Sequence, residues 1–170
     1  EYAGAEATLE HAHELSPNKQ TILFELAAAR QALGDTPGAL EAYKKAYELA
    51  PEFLDARLFY AAALAKAGQD AAADALLEEV SGESAVDPRI AATYVAQGRY
   101  DKIVSVWSVY LAANPDDYQA HFTLAAAYYK LGDREKAIST LELLGTASPE
   151  LKAQTDTLIA QIRSGTLEVE

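Results

Sequence analysis

The 170-residue sequence contains no cysteine and no methionine, and it has few basic residues. Without cysteine the chain has no disulfides, no thiolate metal ligands and no cysteine nucleophile. Fourteen Lys and Arg stand against 26 Asp and Glu, a net charge of −12. That balance argues against binding a nucleic-acid backbone and against direct contact with an anionic membrane. No apolar run approaches the roughly 18 residues that span a bilayer. The lack of Met even at position 1 predicts a segment excised from a longer protein, and the sequence identifies no compartment.

Patterns that carry catalysis are also missing. Neither of the glycine-rich phosphate-binding motifs occurs. His11 and His13 are two residues apart on a predicted helix, so they point to different faces and cannot share a metal. His121 falls in an apolar helix pattern, where a packing role is favoured over a catalytic one. We therefore expect no catalytic residue, no metal, no cofactor and no enzyme activity.

A glycine recurs along the chain with spacings of 34, 30 and 34 residues, and two pairs of prolines are each 34 apart. The glycines are Gly34, Gly68, Gly98 and Gly132, and the prolines are Pro17, Pro51, Pro115 and Pro149. Apolar residues before and after each glycine are spaced three and four apart, which is typical of amphipathic helices. The glycine can end the first helix in a left-handed conformation. In the last repeat, Asp133 follows as the expected N-cap of the second helix. A fixed period of this kind indicates a repeat architecture.

Small residues recur in phase with this period. One row holds Ala27, Ala61, Ala91 and Ala125, and another holds Ala5, Ala39, Ala73 and Ala137. Small side chains are needed where the backbones of paired helices approach closely. Because one helix pair cannot bury its apolar face alone, stacked pairs are expected to share a continuous core.

These positions resemble the tetratricopeptide repeat, whose signature is W-x₂-L-G-x₂-Y, then A-x₃-F, then P. The closest segment carries the signature residues His121, Leu124, Ala125, Tyr128, Ala137, Leu141 and Pro149. The resemblance implies an all-α right-handed superhelix, an α-solenoid of about ten helices in antiparallel pairs. It implies a single array over residues 1–165: a half-repeat at 1–17, full repeats at 20–53, 54–83, 84–117 and 118–149, and a capping helix at 150–165. We expect residues 166–170 to be a tail that is either disordered or the remnant of a linker. The short junction VSGESAVDP predicts a helix that ends near Ser81 and another that starts near Ser84, with a hinge or a local kink between them.

The resemblance also implies a function, which is a protein- or peptide-binding scaffold. In such repeats the first helix of each pair lines a binding groove. The positions that correspond to the groove are Phe24, Glu25, Ala28, Leu58, Phe59, Ala62, Arg89, Ala92, Phe122, Thr123, Ala126 and Tyr129. Exposed phenylalanines at these positions would favour binding. The alternative is that Phe24, Phe59 and Phe122 pack between adjacent repeats.

The groove residues indicate what kind of partner is expected. Some members of the family hold acidic chaperone tails with a clamp of Lys, Asn and Arg. The corresponding positions here are Thr21, Phe24, Glu25, Ala28, Asp55 and Phe59, and only the neighbouring Arg89 is basic. The sequence therefore predicts no chaperone carboxylate clamp. An apolar or modestly basic peptide, extended or helical, suits the negative chain better.

Three further features leave alternatives open. Residues 87–138 resemble repeats of bacterial O-antigen-ligase-like membrane proteins, which would make this segment a structural spacer. Self-association through the bulky Trp107–Tyr110 region, giving a homo-oligomer, is another alternative. Glu6, Glu10 and Glu14 line up at i, i+4 spacing, which indicates either a solvated face or a docking stripe for a basic partner.

Overall fold

The computed structural model describes residues 2–167, which form ten α-helices and two short 3₁₀ helices, with no β-strand among them. The α-helices are α1 Tyr2–Leu15, α2 Gln20–Ala32, α3 Thr36–Leu49, α4 Leu54–Lys66, α5 Asp70–Glu78, α6 Pro88–Ala96, α7 Tyr100–Ala113, α8 Tyr118–Lys130, α9 Arg134–Ala147 and α10 Lys152–Ser164. The 3₁₀ helices are Gly82–Val86 and Pro149–Leu151. The predicted all-α class and helix number are confirmed. Within the described range, no helix has both the length and the apolar character needed to cross a bilayer.

The residues predicted to end and to cap helices have the expected conformations and contacts. Gly34 and Gly132 have φ angles of 82° and 83°, a left-handed conformation that costs little only for glycine. One residue later, the Asp133 carboxylate accepts a hydrogen bond from the Lys136 N–H at 3.2 Å. This contact satisfies one of the unpaired amides at the start of α9, and the predicted N-cap is confirmed.

The chain divides into two compact units, the first ending at Ser81 and the second beginning at Gly82. In the first unit, each of the helices α1 to α5 packs on its neighbours in sequence. Small side chains are buried where these helices meet, and Ala27, Ala61 and Ala73 have no exposed surface. Ala5 belongs to the same predicted row as Ala73 but is exposed, because no helix precedes α1 in the described residues.

In the second unit, α6 to α10 again pack in series, and α7 also packs on the 3₁₀ helix Gly82–Val86. The core here contains larger side chains, with Tyr94, Ile103 and Trp107 each at most 2% exposed. Ala91, in the row of small residues, is only half-buried.

The junction between the units differs from the sequence prediction. α5 ends at Glu78, and the helix expected to start near Ser84 starts instead at Pro88. Asp87 is its N-cap and accepts the Arg89 N–H at 2.9 Å. Proline is well suited to the first helical position, since it has no N–H to satisfy there. The cap and the proline therefore set the start of α6, and residues 82–86 form a 3₁₀ helix.

The Ala61→Leu substitution tests the packing of α4. Ala61 has no exposed surface, so a larger side chain must displace its neighbours. We expect a loss of about 1–3 kcal/mol in the free energy of unfolding, measured by urea denaturation. Ala62→Leu is the matched control, since Ala62 is exposed on the same helix and should change stability by about 0.5 kcal/mol or less. Equal effects of the two variants would contradict the assigned helix face.

Candidate functional site

Aromatic rings connect adjacent helix pairs in the first unit. The Phe24 ring of α2 meets the Phe59 ring of α4 edge to face, with 5.4 Å between centroids. Tyr43 of α3 also stacks on Phe59, with 5.8 Å between the ring centroids. All three rings belong to one cluster, in which Tyr43 is buried and both phenylalanines are partly buried. For Phe24 and Phe59, the structure thus shows the packing role that the sequence left open as the alternative to binding.

The other predicted groove residues of the first unit separate into two groups. Glu25, Ala28 and Ala62 are exposed. Leu58 is only 2% exposed, so the prediction that it lines a binding surface is wrong. The reason is that α4 packs on both α3 and α5, which extends its buried surface one turn back from Ala61 to Leu58.

A cleft of about 260 Å³ lies in the second unit between α8 and the pair formed by α6 and α7. Its lining is Ala91, Val95, Tyr100, Ile103, Gln119, Phe122, Thr123, Ala126, Ala127 and Lys130. Most of these side chains are apolar, and Gln119 and Lys130, both exposed, supply polar groups. The residues from α8 recur at spacings of three and four, so one face of this helix forms a wall of the cleft.

Three of the predicted groove residues, Phe122, Thr123 and Ala126, meet in this cleft. The other α8 residue of the prediction, Tyr129, is half-buried and packs beside Phe122 on the cluster formed with α9 and α10. Phe122 therefore packs in the core and also lines the cleft, and its role in binding stays a prediction.

Sequence analysis missed several residues of the cleft. Tyr100 and Ile103 belong to α7, the second helix of its pair, whereas the groove was predicted from first helices alone. Val95 lies 34 residues before Tyr129 and is 41% exposed. Carrying the Tyr129 position back by one repeat period is the signal that would have found it.

Arg89, the one basic residue of the predicted groove, is bound within the chain. Its guanidinium donates through Nε to Asp87 Oδ1 at 2.9 Å and through Nη2 to Asp87 Oδ2 at 2.7 Å. Hydrogen bonds from this guanidinium lower the pKa of the Asp87 carboxyl, because they stabilise its charged form. Ala92, one turn later on α6, is exposed.

The row of glutamates on α1 is also partnered. Arg30 of α2 donates to Glu6 at 3.2 Å and to Glu10 at 2.8 Å. Glu14 lies 3.4 Å from the His11 ring. Arg30 thus contacts two of the three glutamates and offsets one of their three charges, which weakens the interpretation of the row as a docking stripe.

His121 and Trp107, two large ring side chains of the second unit, are both buried. Nε2 of His121 lies 2.9 Å from the Pro115 carbonyl oxygen, to which it donates, and the residue is 8% exposed. Trp107 is 2% exposed, so its ring is unavailable for the self-association considered above. Among residues 2–167, no group of three His, Cys, Asp or Glu side chains is arranged to hold a metal ion.

Comparison with known proteins identifies the family. The tetratricopeptide repeat model matches residues 30–95 and 94–162. The chain is similar to a crystal structure of MamA protein, with 20% sequence identity and a TM-score of 0.64. The match covers 90% of this chain and 85% of the MamA chain. A tetratricopeptide repeat protein from Parabacteroides merdae ATCC 43184 is also 20% identical, with a TM-score of 0.61 over 86% of this chain and 59% of that one. A search of curated sequences finds no match. The chain therefore belongs to the tetratricopeptide repeat family and, like that family, is a non-enzymatic scaffold for protein interactions.

Proposed function

We propose that the chain binds an apolar segment of a partner protein in the cleft between α8 and the α6–α7 pair. The observation that carries this proposal is the convergence of Phe122, Ala126 and Val95 on one open apolar cavity of about 260 Å³. That volume lies below the roughly 300–1,000 Å³ of sites that enclose a drug-sized ligand. It suits one or two side chains of a peptide whose backbone lies along the surface.

The partner we propose is an extended or helical segment with an aliphatic or aromatic anchor. The anchor enters the apolar cleft, where desolvated contacts supply most of the affinity. Basic residues flanking the anchor suit a chain of net charge −12 because opposite charges steer the encounter. In the first unit, the exposed groove positions Glu25, Ala28 and Ala62 stay predicted contact positions in their own right.

The repeat boundaries are part of this proposal. We retain full repeats at 20–53, 54–83, 84–117 and 118–149, flanked by a half-repeat and a terminal helix. In this scheme α2, α4, α6 and α8 are the first helices of their pairs. The family match at 30–95 and 94–162 supports a repeated unit without specifying these limits.

The Ala126→Trp variant tests the cleft. Peptides are first selected from a random library against the whole chain, and their dissociation constants are then measured by fluorescence anisotropy. The indole should fill the cleft and weaken the selected peptides by about tenfold or more, equivalent to roughly 1.4 kcal/mol. Ala112→Trp is the matched control, because Ala112 is exposed on α7 and does not line the cleft.

Thermal unfolding of both variants checks that the fold is intact. Selected peptides that bind Ala126→Trp and the parent chain equally well would show that the cleft is not the binding site. A salt titration separates the two parts of the proposed partner. The contribution of basic flanks should decline as salt screens exposed charges, while the apolar anchor should retain its contribution.

A further inference from the structure

The residues after α10 turn back onto α8. Gly165 ends α10 with a φ of 74°, and the Thr166 N–H donates to the Gln161 carbonyl at 3.0 Å. The Leu167 carbonyl then accepts a hydrogen bond from the Tyr129 hydroxyl at 3.2 Å. Residues 166–170 were predicted to be a disordered tail or a linker remnant. Thr166 and Leu167 make these contacts with the chain, and residues 168–170 lie outside the described residues.

The Leu167 side chain also packs against the chain. It is half-buried on an apolar cluster of α8, α9 and α10, whose buried members are Ala125, Ala137, Leu141, Ile159 and Ile162. Phe122 and Tyr129 pack on the same cluster. These two residues are seven positions, about two helical turns, apart on α8 and therefore lie on one face. Phe122 thus borders both the seat of Leu167 and the cleft. The two otherwise use different sides of α8, with Ala125 and Tyr129 at the seat and Thr123 and Ala126 at the cleft.

The way in which Leu167 is held has the chemistry of a bound peptide. Leu167 lies outside any helix, so its backbone carbonyl is available to a side-chain donor. One tyrosine hydroxyl provides that donor, and one apolar cluster receives the aliphatic side chain. A segment of another protein with an aliphatic residue can make the same two contacts. The hydroxyl bond and the apolar seat are local, so they do not depend on the covalent connection to α10.

We propose that Leu167 is an internal ligand of the side of α8 that carries Ala125 and Tyr129, and that a partner segment displaces it by placing its own aliphatic residue on the Leu167 seat. This inference rests on the proposed function of α8 and deepens it in two ways. It names an aliphatic residue with a free backbone carbonyl as the feature recognised beside the cleft. It also lowers the apparent affinity for a partner, because a partner can bind only the fraction of molecules in which Leu167 has left the site.

The test uses the internal segment as a free peptide. The probe is acetylated and amidated SGTLEVE, residues 164–170, with Glu168→Gln and Glu170→Gln to remove repulsion by the acidic chain. Binding is followed by NMR from the backbone amide signals of α8 in the full-length chain. Leu167→Asp should release the internal segment and bind the peptide about tenfold more tightly than the parent chain. The matched control is Thr166→Asp, which adds the same charge at an exposed neighbour and should bind like the parent.

Two further variants locate the site. Replacing the leucine of the peptide with aspartate should abolish binding. Adding Tyr129→Phe to the Leu167→Asp chain should weaken binding several-fold by removing the hydroxyl donor. Equal affinities of the parent and Leu167→Asp chains, or shifts confined to helices other than α8, would overturn the inference. Should the variant chain unfold, Leu167→Ala replaces it with the same expected order of affinities.

The outcome is separable from the test of the cleft. If the free peptide fails to bind while library peptides remain sensitive to Ala126→Trp, only the internal-ligand inference fails. If the free peptide binds at Tyr129 while no selected peptide depends on Ala126, the cleft assignment fails instead.

Discussion

Replacing Trp107 with alanine is expected to reduce the free energy of unfolding by about 3–5 kcal/mol. Trp107 is 2% exposed and is the only tryptophan in the sequence. Removing the indole takes away its apolar burial and leaves a cavity that α7 and its neighbours can fill only in part. Most domains are stable by only about 5–15 kcal/mol, so this loss is a large share of the total. Urea denaturation followed by circular dichroism measures it without relying on the deleted fluorophore.

Val109→Ala is the control for this experiment. Val109 lies two residues later on the same helix and is 74% exposed, so its truncation should change stability by about 0.5 kcal/mol or less. A Trp107→Ala loss below about 1 kcal/mol would mean that the indole is not a core residue, and the assigned face of α7 would then be wrong.

Gly145→Ala is expected to destabilise the chain by about 1–3 kcal/mol, as overpacking generally does. The sign of the change in stability is informative, because replacing glycine with alanine at an exposed helix position normally stabilises the helix by about 0.8–1 kcal/mol. Gly145 is buried in α9, and a methyl group there would overlap the Thr155 hydroxyl oxygen of α10. Thr155 is itself 1% exposed and its hydroxyl donates to the Lys152 carbonyl at 3.0 Å, so it has little freedom to move.

The cause can be isolated with a second site. Thr155→Ala removes the opposing atoms and should recover most of the loss when combined with Gly145→Ala. Thr155→Val keeps the bulk and should recover little. Gly4→Ala in α1, where nothing lies within 4 Å of the added methyl, should be neutral or stabilising. Thermal or urea unfolding reports all four variants, and a stabilising Gly145→Ala would disprove close packing between α9 and α10.

The helices and their ends could be predicted well because their signals are local. Gly132 and Asp133 supply a left-handed residue and a cap within two positions, and the structure shows both. The alanine rows were predicted from period alone, since every close helix approach requires a small side chain. The structure differs from the prediction where two local signals compete. The helix predicted to start near Ser84 starts at Pro88, because Asp87 caps it there.

Which of the predicted groove positions are open could be foreseen only in part. Helical period correctly grouped Phe122, Thr123 and Ala126, which share one face of α8. It wrongly included Leu58, because period along one helix does not reveal how many neighbours that helix has. It also missed Tyr100 and Ile103, since their place in the cleft depends on how α7 lies against α8.

The amino-acid sequence was sufficient to establish the repeat, the all-α class and the family, because these depend on residue spacing and on contacts between positions close in the chain. Three features could be determined only from the tertiary structure. They are which aromatic rings pack in the core, which helix face stays open, and the contact of Leu167 with Tyr129, 38 positions earlier in the chain. These features depend on contacts between separate helices. The spacing of residues along one helix does not specify which other helices pack against it, so the sequence pattern could not predict them.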